Sequence, residues 1–309
     1  MIATEIADHR DFLTVWDFTT EEILKILDIA FNYKKDVITK TKKPLDGKCI
    51  GLIFEKSSTR TRLSFEVGIY QLGGCAVYIR PEESHIGKGE SIGDTARVLS
   101  RFFHGIVFRT FGHERVEELA RYASIPVING LTDSHHPCQA VADMFTIKEK
   151  RGSLNNIKLS YIGDGNNVAN SLLEITSRLG VDITIACPTG YEPDKAILEK
   201  VMSVGNNSIE IIHNPFQAVK NADVIYTDVW VSMGDKTDGK KKKEAFKDFQ
   251  VNEALLSNAN EDVLVLHCLP AHRGEEITDD VIDGPKSAVF DQAENRLHTQ
   301  KAILEMLIK

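Results

Sequence analysis

The apolar run Cys49-Ile50-Gly51-Leu52-Ile53-Phe54 leads into Ser57-Ser58-Thr59-Arg60-Thr61-Arg62, which in turn opens the helix-like stretch Leu63-Ser64-Phe65-Glu66-Val67-Gly68-Ile69-Tyr70. A buried strand that turns straight into a helix leaves orphan backbone N–H groups at the helix start, where the macrodipole also favours negative charge. Hydroxyls and two guanidiniums in the same turn add side-chain donors, and the planar fork of arginine suits a phosphate or a carboxylate. The bland alternative is an ordinary capped helix with exposed arginines. Arg60 and Arg62, at alternate positions directly after a strand, favour the phosphate. The surrounding residues lack the Gly-x-x-x-x-Gly-Lys pattern, so a P-loop nucleotide site is not indicated.

Outward from this turn the chain keeps one rhythm. Short apolar runs follow at Ala76–Ile79, Gly105–Phe108 and Ile125–Ile128, separated by helix-period segments at Asp94–Phe103 and Glu114–Tyr122. The second half repeats it through Ile157–Ile162, Ile183–Ala186, Ile209–Ile212, Val224–Tyr226, Val263–Leu266 and Ala288–Phe290. Strand and helix in alternation predict parallel βαβ units with right-handed crossovers, an α/β fold of two doubly wound parallel sheets. Thr19 and Glu22 are spaced as a capping box for the first helix, and Cys138–Lys150 reads as a helical hinge between the halves. A last helix runs from about Gln292 to Ile308.

At 309 residues the chain has room for two domains. Its net charge of -8 argues against nucleic acid as the main partner, because backbone binding needs a basic face. An anion site must therefore be a local basic pocket. The first ten residues show neither a basic n-region nor an apolar h-region, and no apolar run is long enough to span a bilayer, so the expectation is a cytoplasmic protein with no membrane partner. The five cysteines, Cys49, Cys75, Cys138, Cys187 and Cys268, are odd in number, scattered and never spaced as C-x-x-C, which suits reduced thiols.

In open parallel sheets ligands bind beyond the carboxyl ends of the strands. Polar clusters stand at such ends: Arg109-Thr110, His135-His136-Pro137-Cys138-Gln139, Gly163-Asp164-Gly165-Asn166-Asn167, Thr227-Asp228 to Gly234, and His267-Cys268 to Gly274. Gly163-Asp164-Gly165 has Val168 where a dinucleotide fingerprint needs its third glycine, which speaks against a nicotinamide cofactor. Asn167 reads equally as a carboxylate ligand or a helix cap. His136 taken singly reads as a satisfied loop histidine. His267, Cys268 and His272 have the composition of zinc ligands, yet a tetrahedral site needs more well-placed ligands than they offer. Cys268 is either a nucleophile or a buried thiol. Lys240–Lys243 reads as a solvated loop edge, and Gly234 and Gly239 beside it would let that loop move as a lid.

Taken jointly, Ser-Thr-Arg-Thr-Arg, His-Pro-Cys-Gln, Asp-Val-Trp-Val-Ser-Met-Gly and His-Cys-Leu-Pro-Ala-His-Arg resemble the transcarbamoylase family, in its ornithine branch, over the whole chain and in the right order. The resemblance implies a carbamoyl phosphate domain over residues 1–140 and an ornithine domain over residues 141–291, with the active site in the cleft between them. It also implies a last helix, residues 292–309, that packs back on the first domain, and a homotrimer or assembly of trimers; from the residues themselves, no metal or cofactor is expected. The implied reaction moves the carbamoyl group of carbamoyl phosphate to the δ-amine of L-ornithine, giving L-citrulline and phosphate in arginine metabolism. Ser58, Thr59, Arg60 and Thr61 match the family's phosphate cradle. Arg109, His136 and Gln139 match the groups around the carbamoyl moiety, and Arg296 a contact from the last helix. Asn167, Asp228, Ser232 and Met233 match the ornithine contacts, and Cys268 and Leu269 the residues near the attacking amine.

One position departs from the family. His85 stands where the ornithine enzymes usually carry Gln, in a loop that reaches the neighbouring subunit's site. A histidine still donates to a phosphate, but its charge depends on pH.

Overall fold

Nine strands form among the described residues, and every pairing between them is parallel. The structure is a computed structural model that describes residues 9–35, 42–80, 86, 89–232 and 238–309. Contacts divide the chain into two units, Met1–Cys138 with Arg296–Lys309, and Gln139–Asn295.

In the first unit the elements are α1 (Thr20–Lys34), β1 (Cys49–Phe54), α2 (Thr59–Gln71), β2 (Cys75–Ile79), α3 (Ile92–Leu99), β3 (Gly105–Arg109), α4 (His113–Tyr122), β4 (Val127–Leu131) and the start of α5 (Pro137–Arg151). The sheet order is β2-β1-β3-β4. β1 and β3 are central and buried almost throughout, which is why they read as unbroken apolar runs; β2 is an edge and alternates in exposure. The other edge is covered, because Phe12 donates to Val127 O and accepts from Asn129 N, both at 2.8 Å. The Thr19/Glu22 capping box forms as its spacing predicts.

The second unit continues with β5 (Lys158–Ile162), α6 (Asn167–Leu179), β6 (Asp182–Ala186), α7 (Lys195–Val204), β7 (Ile209–Ile212), α8 (Pro215–Ala218), β8 (Val224–Thr227), α9 (Gly239–Phe246), α10 (Glu253–Leu256), β9 (Leu264–His267), α11 (Asp279–Ile282) and the start of α12 (Val289–Leu307), whose remainder from Arg296 onward belongs to the first unit. Its order is β7-β6-β5-β8-β9. The winding reverses between β1 and β3 in one sheet and between β5 and β8 in the other. Each reversal opens a crevice at the carboxyl ends of those strands, which is where a doubly wound sheet takes its ligand.

Four local expectations are corrected. Ala288–Phe290 is no strand: Ala288 N bonds to Val265 O at 3.0 Å, but α12 begins at Val289, and an apolar run this short carries no period of its own. The strand expected at Ile125–Ile128 runs Val127–Leu131 instead, since Pro126 has no N–H for the ladder and buried Asn129 is satisfied by Leu13 O at 2.8 Å. The helix expected at Asp94–Phe103 covers Ile92–Leu99, capped by Ser91. Lys240–Lys243 lies in α9, a helix capped by Asp238, rather than in a loop, and Lys242 is buried.

Candidate active site

In the first unit, Ser58 ends its strand-like conformation to cap α2, and its Oγ accepts the Thr61 N–H at 3.2 Å. The amides of Thr59 and Arg60 have no acceptor within the helix and face outwards from its positive end. Thr61 points inward. Its Oγ1 accepts from Arg109 Nη1, at the end of β3, at 3.5 Å, and from Arg296 Nη2, on α12, at 3.3 Å. All three side chains are buried, so two like charges sit around one hydroxyl in a poorly solvated place. An anion bound there offsets that repulsion.

His136, just before α5, is buried as well. Burial first, then the Arg296 and Arg109 guanidiniums, push its pKa well below the usual value. The ring is neutral at physiological pH and donates through one nitrogen only. Arg62 takes no part in this cluster: it pairs with Glu66 at 3.1 Å and stacks over Tyr78 at 4.1 Å. Arg60, two residues earlier, is half-buried and has no such partner among the described residues. The carboxyl ends of β1 and β3 are tied together by Glu55, which accepts from Arg115 at 2.6 and 3.1 Å and from Thr110. Lys56 is held by Asp133 and lies 4.7 Å from the Phe111 ring centre.

In the second unit the ends of β5, β8 and β9 assemble another cluster. Asn166 caps α6, accepting from the Val168 and Ala169 amides at 2.9 and 3.3 Å, while its Nδ2 donates to Asp228 Oδ2 at 2.8 Å and reaches Ser232 Oγ at 3.5 Å. Cys268 Sγ donates to Asp228 Oδ1 at 2.9 Å. Burial, and after it the Asp228 carboxylate, raise the Cys268 pKa well above its ordinary value. The sulfur is therefore a thiol and a poor nucleophile.

His267 is the scaffold of this turn. Its Nδ1 accepts the Leu269 N–H at 2.9 Å, which leaves the proton on Nε2, 3.1 Å from Glu276 Oε1. That bond helps Leu269 hold a left-handed φ of 57°. Both nitrogens are thus engaged in shaping the turn, although His267 lies with Asp228 and Cys268 in a group whose ligand atoms are within 4.8 Å of one another. Behind it, Gln292 Oε1 accepts the His267 N–H at 2.9 Å and Gln292 Nε2 donates to buried Asp143 at 2.7 Å. Gln139 Nε2 donates to the same Asp143 oxygen at 2.8 Å.

Sequence reasoning missed two residues here. Asn166, not Asn167, is the cap; Asn167 is the first residue of α6. Lys242 reaches back to Asp164 Oδ2 at 2.7 Å. Gly165 in that turn is required by packing, since a Cβ would sit 2.3 Å from the Glu192–Pro193 backbone. Its glycines therefore need no nucleotide to explain them. His85 and Met233 fall outside the described residues, as does Gly234.

Residues 10–149 match the family described as aspartate/ornithine carbamoyltransferase, carbamoyl-P binding domain, and residues 155–307 the one described as aspartate/ornithine carbamoyltransferase, Asp/Orn binding domain. The chain belongs to the aspartate/ornithine carbamoyltransferase family. A relative from Thermococcus kodakarensis named ornithine carbamoyltransferase is 52% identical over 97% of this chain and 96% of its own. One from Pyrococcus furiosus named ornithine carbamoyltransferase, anabolic, is 50% identical over 97% of this chain and 96% of its own. A solved Pyrococcus furiosus ornithine carbamoyltransferase superposes with a TM-score of 0.93 at 50% identity, covering 97% of each chain.

Proposed function

We propose that this protein transfers the carbamoyl group of carbamoyl phosphate to the δ-amine of L-ornithine, releasing L-citrulline and phosphate, within arginine biosynthesis. The observation that carries the donor half is the convergence of Arg109 and Arg296 on Thr61 at the start of α2, beside neutral His136. The names of relatives at 50–52% identity support the acceptor half.

The phosphate is held by the Ser58, Thr59, Arg60 and Thr61 turn, with Arg60 neutralising charge as it leaves. Arg109, Thr61 and the neutral His136 ring donate to the carbonyl oxygen as it becomes an oxyanion, the kind of preorganised stabilisation that commonly dominates catalysis. Gln139 and Arg296 complete the donor site, and His85 reaches a neighbouring subunit's phosphate. Asp228 takes the α-ammonium of ornithine and Asn167 its carboxylate, and Ser232 and Met233 are assigned to ornithine as well. A Cys268 thiol that gives its proton to Asp228 presents lone pairs to an N–H of the δ-amine, and the Leu269 carbonyl offers a second acceptor. Both orient the amine for attack without covalent chemistry.

The same reading gives a cytoplasmic homotrimer or assembly of trimers, which light scattering of the purified protein measures. No helix among the described residues is long and apolar enough to cross a membrane. The deciding assay compares phosphate release from carbamoyl phosphate with ornithine, putrescine or aspartate as acceptor. Ornithine should be preferred, with citrulline as product; faster turnover of putrescine or aspartate would reject the reading.

A further inference from the structure

The parallel register of β1 and β2 makes Cys49 and Cys75 partners across the ladder. Registered neighbours on parallel strands share one face of the sheet, and strands so paired lie about 4.8 Å apart, inside the Cα separation that a disulfide spans. Burial first, and the neighbouring Cys75 thiol after it, raise the Cys49 pKa. Cys75, on an edge strand, is exposed and Cys49 is partly so. The remaining cysteines are differently placed: Cys138 and Cys187 are buried with pKa values pushed up to about 12, and Cys268 is bonded to Asp228.

We propose that Cys49 and Cys75 form a reversible redox couple, in which a peroxide converts the paired thiols to a disulfide that staples β1 to β2. The exposed Cys75 sulfur attacks hydrogen peroxide, forming a sulfenic acid and releasing one water. The Cys49 sulfur then attacks the sulfenic sulfur, the S–S bond forms, and the second water leaves with the Cys49 proton. Two thiols and one peroxide thus become one disulfide and two waters. A dithiol such as dithiothreitol returns both thiols by exchange.

The staple closes a loop that contains the whole of α2 and with it the Ser58–Thr61 turn. Both sulfurs stand at the amino ends of their strands, whereas that turn follows the carboxyl end of β1. The bond therefore constrains the unfolded chain without touching the anion site, and its effect is on stability rather than on turnover.

The test uses the full-length protein in its native assembly, treated with a small excess of hydrogen peroxide and digested after blocking the free thiols. The expected result is a peptide pair joined through Cys49 and Cys75, a loss of two of the five titratable thiols, recovery of both with dithiothreitol, and a melting temperature raised by about 5 °C. Cys75→Ser should abolish the cross-link, the thiol loss and the thermal shift while keeping its basal turnover, and Cys187→Ser should change none of them. Unchanged thiols, over-oxidation of Cys75 to the sulfinic acid without cross-linking, or a bond between two chains would each overturn the proposal.

Discussion

The Sγ of Cys268 donates its proton to Oδ1 of Asp228 across 2.9 Å. A thiol in that bond is held protonated by burial first and by the carboxylate second, so it alkylates slowly near neutral pH. Asp228→Asn removes the second cause. Iodoacetamide should therefore label Cys268 several-fold faster in that variant at the same pH, although ornithine binding should weaken by on the order of 10²-fold as a charged partner is lost. A labelling rate unchanged or lowered in Asp228→Asn would mean that the carboxylate does not govern the thiol.

Arg60 and Arg62 are neighbours in sequence and unlike in use. Arg62 is committed to Glu66 and the Tyr78 ring, whereas half-buried Arg60 stands in the first turn of α2, at its positive end. Arg60→Ala should lower kcat by on the order of 10²-fold or more, as expected for a group that stabilises a leaving dianion. Arg62→Ala should leave kcat within a few-fold and act on stability instead. Steady-state kinetics of the two variants separate the roles, and equal kcat losses would refute them.

The pH dependence of activity follows from two groups with opposite behaviour. His136 is neutral at every working pH because burial and two arginines depress its pKa, so it contributes no ionisation near neutrality. The acceptor amine must lose a proton before attack, and a rise in kcat/KM from pH 6 to pH 9 then reports substrate rather than enzyme. Replacing His136 by Asn should lower the whole profile without moving its midpoint. A midpoint displaced by a unit would assign the ionisation to His136.

The strands were legible because those at the centre of a parallel sheet are buried on both faces, and Cys49–Phe54 and Gly105–Phe108 carry nothing but apolar residues and glycine. The anion turn was legible because caps and arginines are local signals. What stayed hidden was set by register and by tertiary distance. Asn166 and Asn167 are adjacent and chemically identical, and the extended ψ of Asn166 together with its side-chain bonds to the Val168 and Ala169 amides separates them. Lys242 looked like one more lysine in a charged run, but it stands one turn before the apolar Phe246 on the same face of α9, a signal the charge run obscured. The partnership of Cys49 with Cys75 depends on strand order, which spacing alone does not encode. Arg296 was reached through family resemblance, since no local pattern on α12 points to Thr61.

His113 adds an acid limb to stability. Its ring lies 4.4 Å from that of His135, its Nδ1 bonds with Thr132 Oγ1 at 3.0 Å, and Glu117 is 3.9 Å from its Nε2. Burial, then the His135 charge, depress its pKa to about 4. The unfolded chain binds this proton near pH 6.5, so between those values the unfolded state holds more protons and stability falls as pH falls, by no more than roughly 3 kcal/mol. His113→Asn keeps a partner for Thr132 and removes the titration. Its urea midpoint should drop less between pH 7 and pH 5 than that of the parent protein, and parallel drops would place the acid limb elsewhere.

Lys242 and Asp164 form a buried ion pair, 2.7 Å apart with side chains only 6% and 13% exposed, that anchors α9 to the turn after β5. The Lys242 ammonium also lies 5.5 Å from the Tyr191 ring centre. Taking away one partner leaves the other charge buried, which costs roughly 3–5 kcal/mol, more than the pair itself is worth. Lys242→Met should therefore lower the urea midpoint sharply, whereas Lys242→Met combined with Asp164→Asn should recover a good part of the loss, since no uncompensated charge remains. Asp238 caps α9 and Ser232 precedes it in the chain, so the single variant should also raise the KM for ornithine while the KM for carbamoyl phosphate stays nearly constant. Additive losses in the double variant, or a rise in both KM values, would show that the pair neither holds an unbalanced charge nor steadies the acceptor side alone.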